Sequence, residues 1–104
     1  MCIRDRVHAG EVPLQVMRLS REVAGLVREI AAIGNVNAAS DAGAAGFMAQ
    51  AAVKAAGLNV KTNAVGLKDR DLAQSWLAEV AAIEADVEQM VNEIAATAAQ
   101  RGGF

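Results

Sequence analysis

An alanine-rich stretch near the middle of the chain limits the folds open to it. Ten of the nineteen residues from Ala38 to Ala56 are alanine, the residue with the highest helix propensity. Aromatic residues, which strands favour, make up only 3% of the chain, although 54% of it is hydrophobic. The composition therefore predicts an all-α protein. Alanine and glycine bury little area, and 104 residues form one domain at most. We therefore expect the core to need a partner chain or a further segment.

Three long helices in an antiparallel bundle are predicted from the spacing of the apolar residues. The first is expected to begin near Val12-Pro13, because proline is tolerated in a first helical turn, and to end at Gly34. Steps of three and four residues make this helix amphipathic, with an apolar stripe of Val16, Leu19, Val23, Leu26, Val27, Ile30 and Ile33.

The second helix is expected to begin at Ser40 as N-cap and to end at about Gly66. After Asp41 its only charges are Lys54 and Lys61, so it is predicted to be a central helix, buried on nearly all sides. Its glycines weaken an isolated helix, and close contact with another helix or a ligand would explain Gly43, Gly46 and Gly57.

The third helix is predicted to begin at an Asp69 cap. Its apolar residues follow heptad spacing, as Leu72, Trp76, Val80, Ile83, Val87, Met90 and Ile94. Such a seam is either the core of one chain or a contact between two chains. The last residues, Arg101 to Phe104, are predicted to be a frayed end.

Residues 1–6 are set apart, since Met1 to Arg6 show neither helical nor strand periodicity. They resemble translated sequencing-adapter read-through, and we expect them to be a non-native extension. The remaining residues, 7–104, are taken as the native part.

Charge and motif content exclude several classes of function. The formal net charge is −2 without a basic stripe, so no nucleic-acid partner is expected. The most apolar window, Ala42 to Val53, is too short for a membrane span. Cys2 is the only cysteine, and His8, the only histidine, is expected on the surface. Zinc spacing, Glu-x-x-His pairs and a P-loop are absent, so no metal site is predicted. The acidic residues of the third helix are predicted to form a solvated helix face: Glu79, Glu84, Asp86, Glu88 and Glu93.

Uncharged polar residues next to apolar sequence are the candidate site. Asn59 and Asn63 lie one turn apart, and either tie helices together or bind a ligand along a strip of small residues. Asp41 is either a helix-start carboxylate or a general acid/base. Asn35 and Asn37, before Ser40, are either turn residues or ligand contacts.

The order and spacing of these residues resemble the cyclodeaminase/cyclohydrolase family of folate enzymes. The similarity covers about Val7 to Val91. It rests on Val12-Pro13-Leu14, Gly34-Asn35-x-Asn37-x-x-Ser40-Asp41-x-Gly43-x-Ala45, Asn59-Val60-x-x-Asn63 and Leu67-Lys68-Asp69.

The resemblance implies an all-helical cytoplasmic homodimer that interconverts tetrahydrofolate one-carbon units, by cyclohydrolase or by formiminotetrahydrofolate cyclodeaminase chemistry. It implies no cofactor beyond the tetrahydrofolate substrate. Carried over by position, Asp41 is the catalytic candidate, and the substrate-binding candidates are Asn35, Asn37, Ser40, Asn59 and Asn63.

One departure from the family pattern matters, because the Pro-Gly-Gly-Gly-Ser loop of the family's N-terminal half has no counterpart here. Residues 7–104 are therefore expected to be the C-terminal part of a larger helical domain, without turnover on their own. The alternative belongs to a different class of function. It is a non-catalytic assembly module, in which the apolar seam from Trp76 to Ile94 forms the contact between two chains.

Overall fold

The computed structural model describes residues 3–104, as three long helices and one short turn of 3-10 helix. Helix α1 is Ile3–Ile33, the 3-10 turn is Val36–Ala38, α2 is Ala39–Val65 and α3 is Arg70–Gly102. The bundle measures 53 × 18 × 17 Å. Helices α1 and α3 run parallel and α2 runs against both, which confirms the all-α antiparallel prediction.

The predicted start of α1 near Val12-Pro13 is wrong, since the helix begins at Ile3 and Pro13 is its eleventh residue. A proline inside a helix costs about 3 kcal/mol, so contacts elsewhere must hold the segment before it in place. The Arg6 guanidinium donates to the carbonyl oxygen of Gly66 over 2.5 Å. Gly10 is buried against the indole ring of Trp76. Met1 and Cys2 lie outside the described residues.

The apolar stripe found on the first helix faces away from the bundle. Leu19, Leu26 and Ile30 are 52%, 59% and 58% exposed. The face of α1 that packs on the other helices holds Gly10, Leu14, Met17, Ala24 and Ala31. Small residues let the helices approach closely on the inner face, so the larger apolar side chains remain on the outer one.

Two predictions for α2 are wrong. The helix begins at Ala39 rather than after a Ser40 cap, because the 3-10 turn runs directly into it and the N–H of Ala39 donates to the carbonyl oxygen of Val36. Nor is α2 buried on nearly all sides, since only two helices cover it and Met48 is 73% exposed. Its end at Val65, with Gly66 as C-cap, is as predicted.

The glycines of α2 serve helix packing. A β-carbon at Gly46 would lie 3.1 Å from the Ile94 side chain of α3, and one at Gly43 would lie 3.6 Å from Ala98. Close contact with another helix therefore accounts for them, as predicted.

Helix α3 supplies the core with its heptad seam. The Asp69 carboxylate accepts the Leu72 N–H over 3.0 Å, which confirms the predicted cap. Val80, Ile83 and Val87 are fully buried, so the seam forms the core of one chain and is not available to pair chains.

The predicted frayed end is wrong, because α3 continues to Gly102 and stops at Gly103 with a φ of 75°. The Arg101 guanidinium donates to the carbonyl oxygens of Ala31 at 2.8 Å and Gly34 at 2.7 Å. These carbonyls end α1 and lack helical partners.

The acidic residues of α3 were predicted to form a solvated face. Several of them instead form ion pairs with arginine or lysine side chains of α1 and α2. On α3, Glu79 forms a two-point ion pair with Arg18 of α1. Asp86 lies 3.9 Å from Arg21 and Glu93 lies 3.5 Å from Arg28. Hydrogen bonding from Arg18 lowers the pKa of the Glu79 carboxyl, and the same contact raises the pKa of Arg18.

No helix in the described part of the chain offers an apolar stretch long enough to cross a bilayer.

Candidate functional site

Four of the six predicted site residues lie at one end of the bundle, where α1 is joined to α2. Asn35 accepts the N–H of Asn37 on its Oδ1 over 2.9 Å and so caps the 3-10 turn. Its side chain has the turn role that asparagine often takes. Asn35, Asn37, Ser40 and Asp41 are all exposed.

Ser40 and Asp41 occupy the first turn of α2. Asp41 lies at the positive end of the helix dipole, where a carboxylate is favoured. Ser40 borders an apolar groove of about 310 Å³ between α2 and α3, whose other lining residues include Phe47 and Phe104. Asp41 does not line this groove, so neighbours along the helix face different surfaces.

The other two residues lie at the opposite end of α2, in a second groove of the protein. This groove has a volume of about 600 Å³ and lies between α1 and α2. Asn59 and Asn63 provide its amides, and the rest of its lining is apolar: Ala9, Val12, Pro13, Val16, Ala52, Ala55 and Ala56. A groove of this size with few polar groups is typical of small-molecule sites.

Asn63 ties α2 to α1, which is one of the two roles predicted for it, and the structure shows why the tie is needed. Helical bonding would join the N–H of residue 13 to the carbonyl of Ala9, but Pro13 has no N–H. The Nδ2 of Asn63 lies 3.4 Å from that Ala9 oxygen and 2.8 Å from the oxygen of Asn59. The amide therefore replaces the donor that proline lacks and ties α2 to α1.

Asn59 is the freer of the two amides. It is exposed, and its side chain makes no hydrogen bond within residues 5–104. Its amide can both donate to and accept from a ligand lying on the alanine strip.

The two groups of polar residues do not meet within one chain. Asp41 and Asn59 are eighteen residues apart on α2, which at 1.5 Å per residue is about 27 Å. Eighteen residues are also about five complete helical turns, so both lie on the same side of α2. The protein therefore presents two separate groups of polar residues along one helix face.

Sequence reasoning missed the α1 side of the groove. Val12 and Val16 form its apolar wall, and the apolar stripe that contains Val16 was read as one side of an amphipathic helix. The three- and four-residue spacing predicts an amphipathic helix, but only the fold shows which side of α1 the other helices cover. Within the described residues there is no cluster of three or more His, Cys, Asp or Glu that could hold a metal ion.

The comparisons with known proteins agree on one family. A family model described as Formiminotransferase-cyclodeaminase matches residues 5–82. Over 78 residues the chain is 44% identical to a methenyltetrahydrofolate cyclohydrolase from Methylorubrum extorquens. The aligned region covers 75% of this chain and 38% of that relative, so the chain spans well under half of the relative's length.

Proposed function

Because the chain belongs to the formiminotransferase-cyclodeaminase family, we propose that it takes part in the interconversion of 5,10-methenyltetrahydrofolate. The observation that carries the proposal is the groove between α1 and α2, in which Asn59 and Asn63 lie beside a strip of alanines. A reduced pterin is a flat ring with amide-like polar edges. The alanines accept its face, and the asparagine amides match its edge.

The favoured reaction is hydrolysis, since the similar curated protein is named as a cyclohydrolase. Water adds to the carbon that joins N5 and N10, and its proton passes to a base. The bond from this carbon to N5 then breaks as N5 gains a proton and the added hydroxyl loses its own, which leaves a formyl group on N10 and releases one proton overall. We assign the holding of the substrate to Asn59 and Asn63 and the proton transfers to Asp41. Because Asp41 lies about 27 Å from Asn59 in the same chain, the assignment requires the Asp41 carboxylate of a second copy.

The remaining substrate-binding candidates have smaller proposed parts. Asn35 and Asn37 shape the turn that presents Asp41, while Ser40 lies beside that carboxylate in the same helical turn. The family resemblance supports a cytoplasmic enzyme that acts as a homodimer, with no cofactor beyond the tetrahydrofolate substrate.

Cyclodeaminase chemistry is the second candidate reaction, favoured by the description of the family model. Here N10 attacks the formimino carbon on N5, and ammonia leaves. Loss of methenyl absorbance and release of ammonia distinguish the two reactions when measured on the same sample.

Binding of a reduced folate tests the groove without requiring turnover. We expect 5-formyltetrahydrofolate to bind the 104-residue chain, and Asn59→Ala to weaken binding about tenfold, because a lost ligand hydrogen bond costs roughly 0.5–1.5 kcal/mol. Titration calorimetry measures the change in Kd. Asn92→Ala, which removes an exposed amide from α3, is the matched control. Equal affinities for both variants would contradict the proposal.

A further inference from the structure

The side-chain amide of Asn63 has one polar atom left over after its contacts within the chain are made. Its Nδ2 carries two hydrogens, and both have acceptors, since Nδ2 lies 3.4 Å from the carbonyl oxygen of Ala9 and 2.8 Å from that of Asn59. Its Oδ1 accepts no hydrogen bond within residues 5–104 and is not buried. Because Asn63 lines the groove between α1 and α2, this oxygen is the atom that its side chain offers to a ligand there.

The opposite orientation of this amide is excluded by the same two carbonyl groups. Turning the amide over would place Oδ1 against the carbonyl oxygens of Ala9 and Asn59. Three acceptors in contact repel one another, because none of them carries a hydrogen. Toward the groove, Asn63 is therefore an acceptor and not a donor.

Pro13 is the reason that the carbonyl oxygen of Ala9 requires this donor. In an uninterrupted helix the N–H of residue 13 would bond to that oxygen, but proline inside α1 has no N–H. Pro13 also lines the groove itself. One residue of α1 thus forms part of the groove wall and, through Ala9, directs the amide of α2 that faces the groove.

The rest of the groove adds only one further polar side chain. Among its lining residues in the described part of the chain none is charged, and Asn59 is the second amide. The Asn59 side chain makes no hydrogen bond within residues 5–104, so it can turn either its oxygen or its NH₂ group toward a ligand. One fixed acceptor beside one adaptable amide suits a ligand edge that carries two neighbouring donors.

We propose that Pro13 is a positioning residue that sets the specificity of this groove. By holding Oδ1 of Asn63 as a fixed acceptor, it makes the groove bind a flat heterocycle through an edge that donates hydrogen bonds. In a reduced pterin this edge consists of the 2-amino group, which donates to Asn63, and the neighbouring N3–H, which donates to Asn59. The identity of the ligand rests on the proposed function, while the orientation of the amide does not.

Two ligands that differ at one position test this specificity. We expect the chain to bind 5-formyltetrahydrofolate about tenfold more tightly than its 2-oxo analogue, in which an oxygen replaces the 2-amino group and an acceptor therefore opposes Oδ1. In Pro13→Ala, the N–H of residue 13 can bond to Ala9, and the Asn63 amide loses one of the two ties that hold it. The ratio of the two Kd values, measured by titration calorimetry, should then fall toward unity.

Val12→Ala is the matched control. Val12 precedes Pro13 and lines the same groove, but it carries no polar group. Its truncation removes apolar contact from both ligands alike, so both should bind more weakly while the ratio of their Kd values stays as in the wild type. A change of the ratio in Pro13→Ala is therefore not explained by looser packing of the groove wall.

The orientation of the amide can be measured without any ligand. In the isotope-labelled chain, NMR reports how fast the side-chain NH₂ protons of Asn63 exchange with water. We expect them to exchange more slowly than those of Asn59, because both are hydrogen-bonded to carbonyl oxygens. Pro13→Ala should speed the exchange at Asn63 and leave that at Asn59 unchanged.

Equal affinities of the wild type for the two ligands, or a ratio that Pro13→Ala leaves unchanged, would overturn the proposal and leave the proposed function standing. Failure of both ligands to bind would refute the proposed function instead. The proton exchange then still decides the role of Pro13, since exchange at Asn63 as fast as at Asn59 in the wild type would show that the amide is not held.

Discussion

At the scale of single residues, α1 can approach α3 closely because residue 10 is a glycine, which has no side chain. A β-carbon on Gly10 would overlap the ring of Trp76, which is 4% exposed and cannot easily move. A β-carbon on Gly25 of the same helix would meet nothing within 4 Å. The same substitution at these two positions should therefore have opposite effects.

We expect Gly10→Ala to destabilise the protein by about 1–3 kcal/mol, the usual cost of overpacking. Gly25→Ala should stabilise it by roughly 0.5–1 kcal/mol through helix propensity. Urea denaturation followed by circular dichroism measures both. Stabilisation of similar size at both positions would show that Gly10 is not in close contact with the indole.

Predictions for single residues were correct where the contacting residues lie close together in the sequence. The Asp69 cap is confirmed, and it was predictable because its partner, the N–H of Leu72, lies only three residues further along the sequence. The predicted Ser40 cap is wrong because the preceding 3-10 turn already provides an acceptor for the first N–H of α2. That N–H, from Ala39, donates to the carbonyl oxygen of Val36. The contact between Gly10 and Trp76 spans 66 positions, and no pattern within a single helix could reveal it.

At the scale of the helix, α1 tolerates an internal proline because α2 provides the absent donor. Asn63 donates to the carbonyl oxygen of Ala9, the group that Pro13 leaves without its helical partner. The two residues should therefore be energetically coupled. In Pro13→Ala, residue 13 regains an N–H that can bond to Ala9, and the amide of Asn63 becomes less necessary.

A double-mutant cycle over these two residues measures the coupling. We expect Asn63→Ala to cost about 1 kcal/mol in the wild-type chain, the usual net value of one hydrogen bond, because the bond to Ala9 is only part-buried. In the Pro13→Ala background it should cost less than half of that. Equal costs in the two backgrounds would mean that Asn63 contributes nothing to the proline site.

Periodicity predicted that α1 is a helix but not which of its sides is covered. The stripe of large apolar residues resembles a core face in sequence, yet α1 contributes to the core only small residues and two larger ones, Leu14 and Met17. Likewise, the sequence correctly predicted Asn35 and Asn37 before the second helix, and the other four candidate polar residues at or after its start. Their division into two separate groups depends on the length of α2.

At the scale of the whole molecule, acid should loosen the contact between the two parallel helices. The pKa of Glu79 is lowered in the folded protein, chiefly by hydrogen bonding from Arg18. Because folding lowers this pKa, the ion pair contributes its full stabilisation at pH values above the pKa of glutamate in the unfolded chain, about 4.3. That contribution disappears as the pH falls through the lower value of the folded state.

We therefore expect Glu79→Gln to lose roughly 0.2–1 kcal/mol at neutral pH, since the pair is partly exposed. The difference from the wild type should vanish well below pH 4. Urea midpoints across the pH range measure it, with Glu88→Gln, an exposed acid of the same helix, as the control. A constant difference down to the lowest pH would exclude the ion pair as its cause.

The arginine near the end of the chain also constrains the order in which the protein can be made. Arg101 provides the donors for the last carbonyls of α1, some seventy positions earlier. During synthesis the first helix leaves the ribosome long before its final turn can be capped. The nascent chain therefore carries an unfinished helix end until Arg101 has been made, and loss of the Arg101 side chain would leave these carbonyls without their donors.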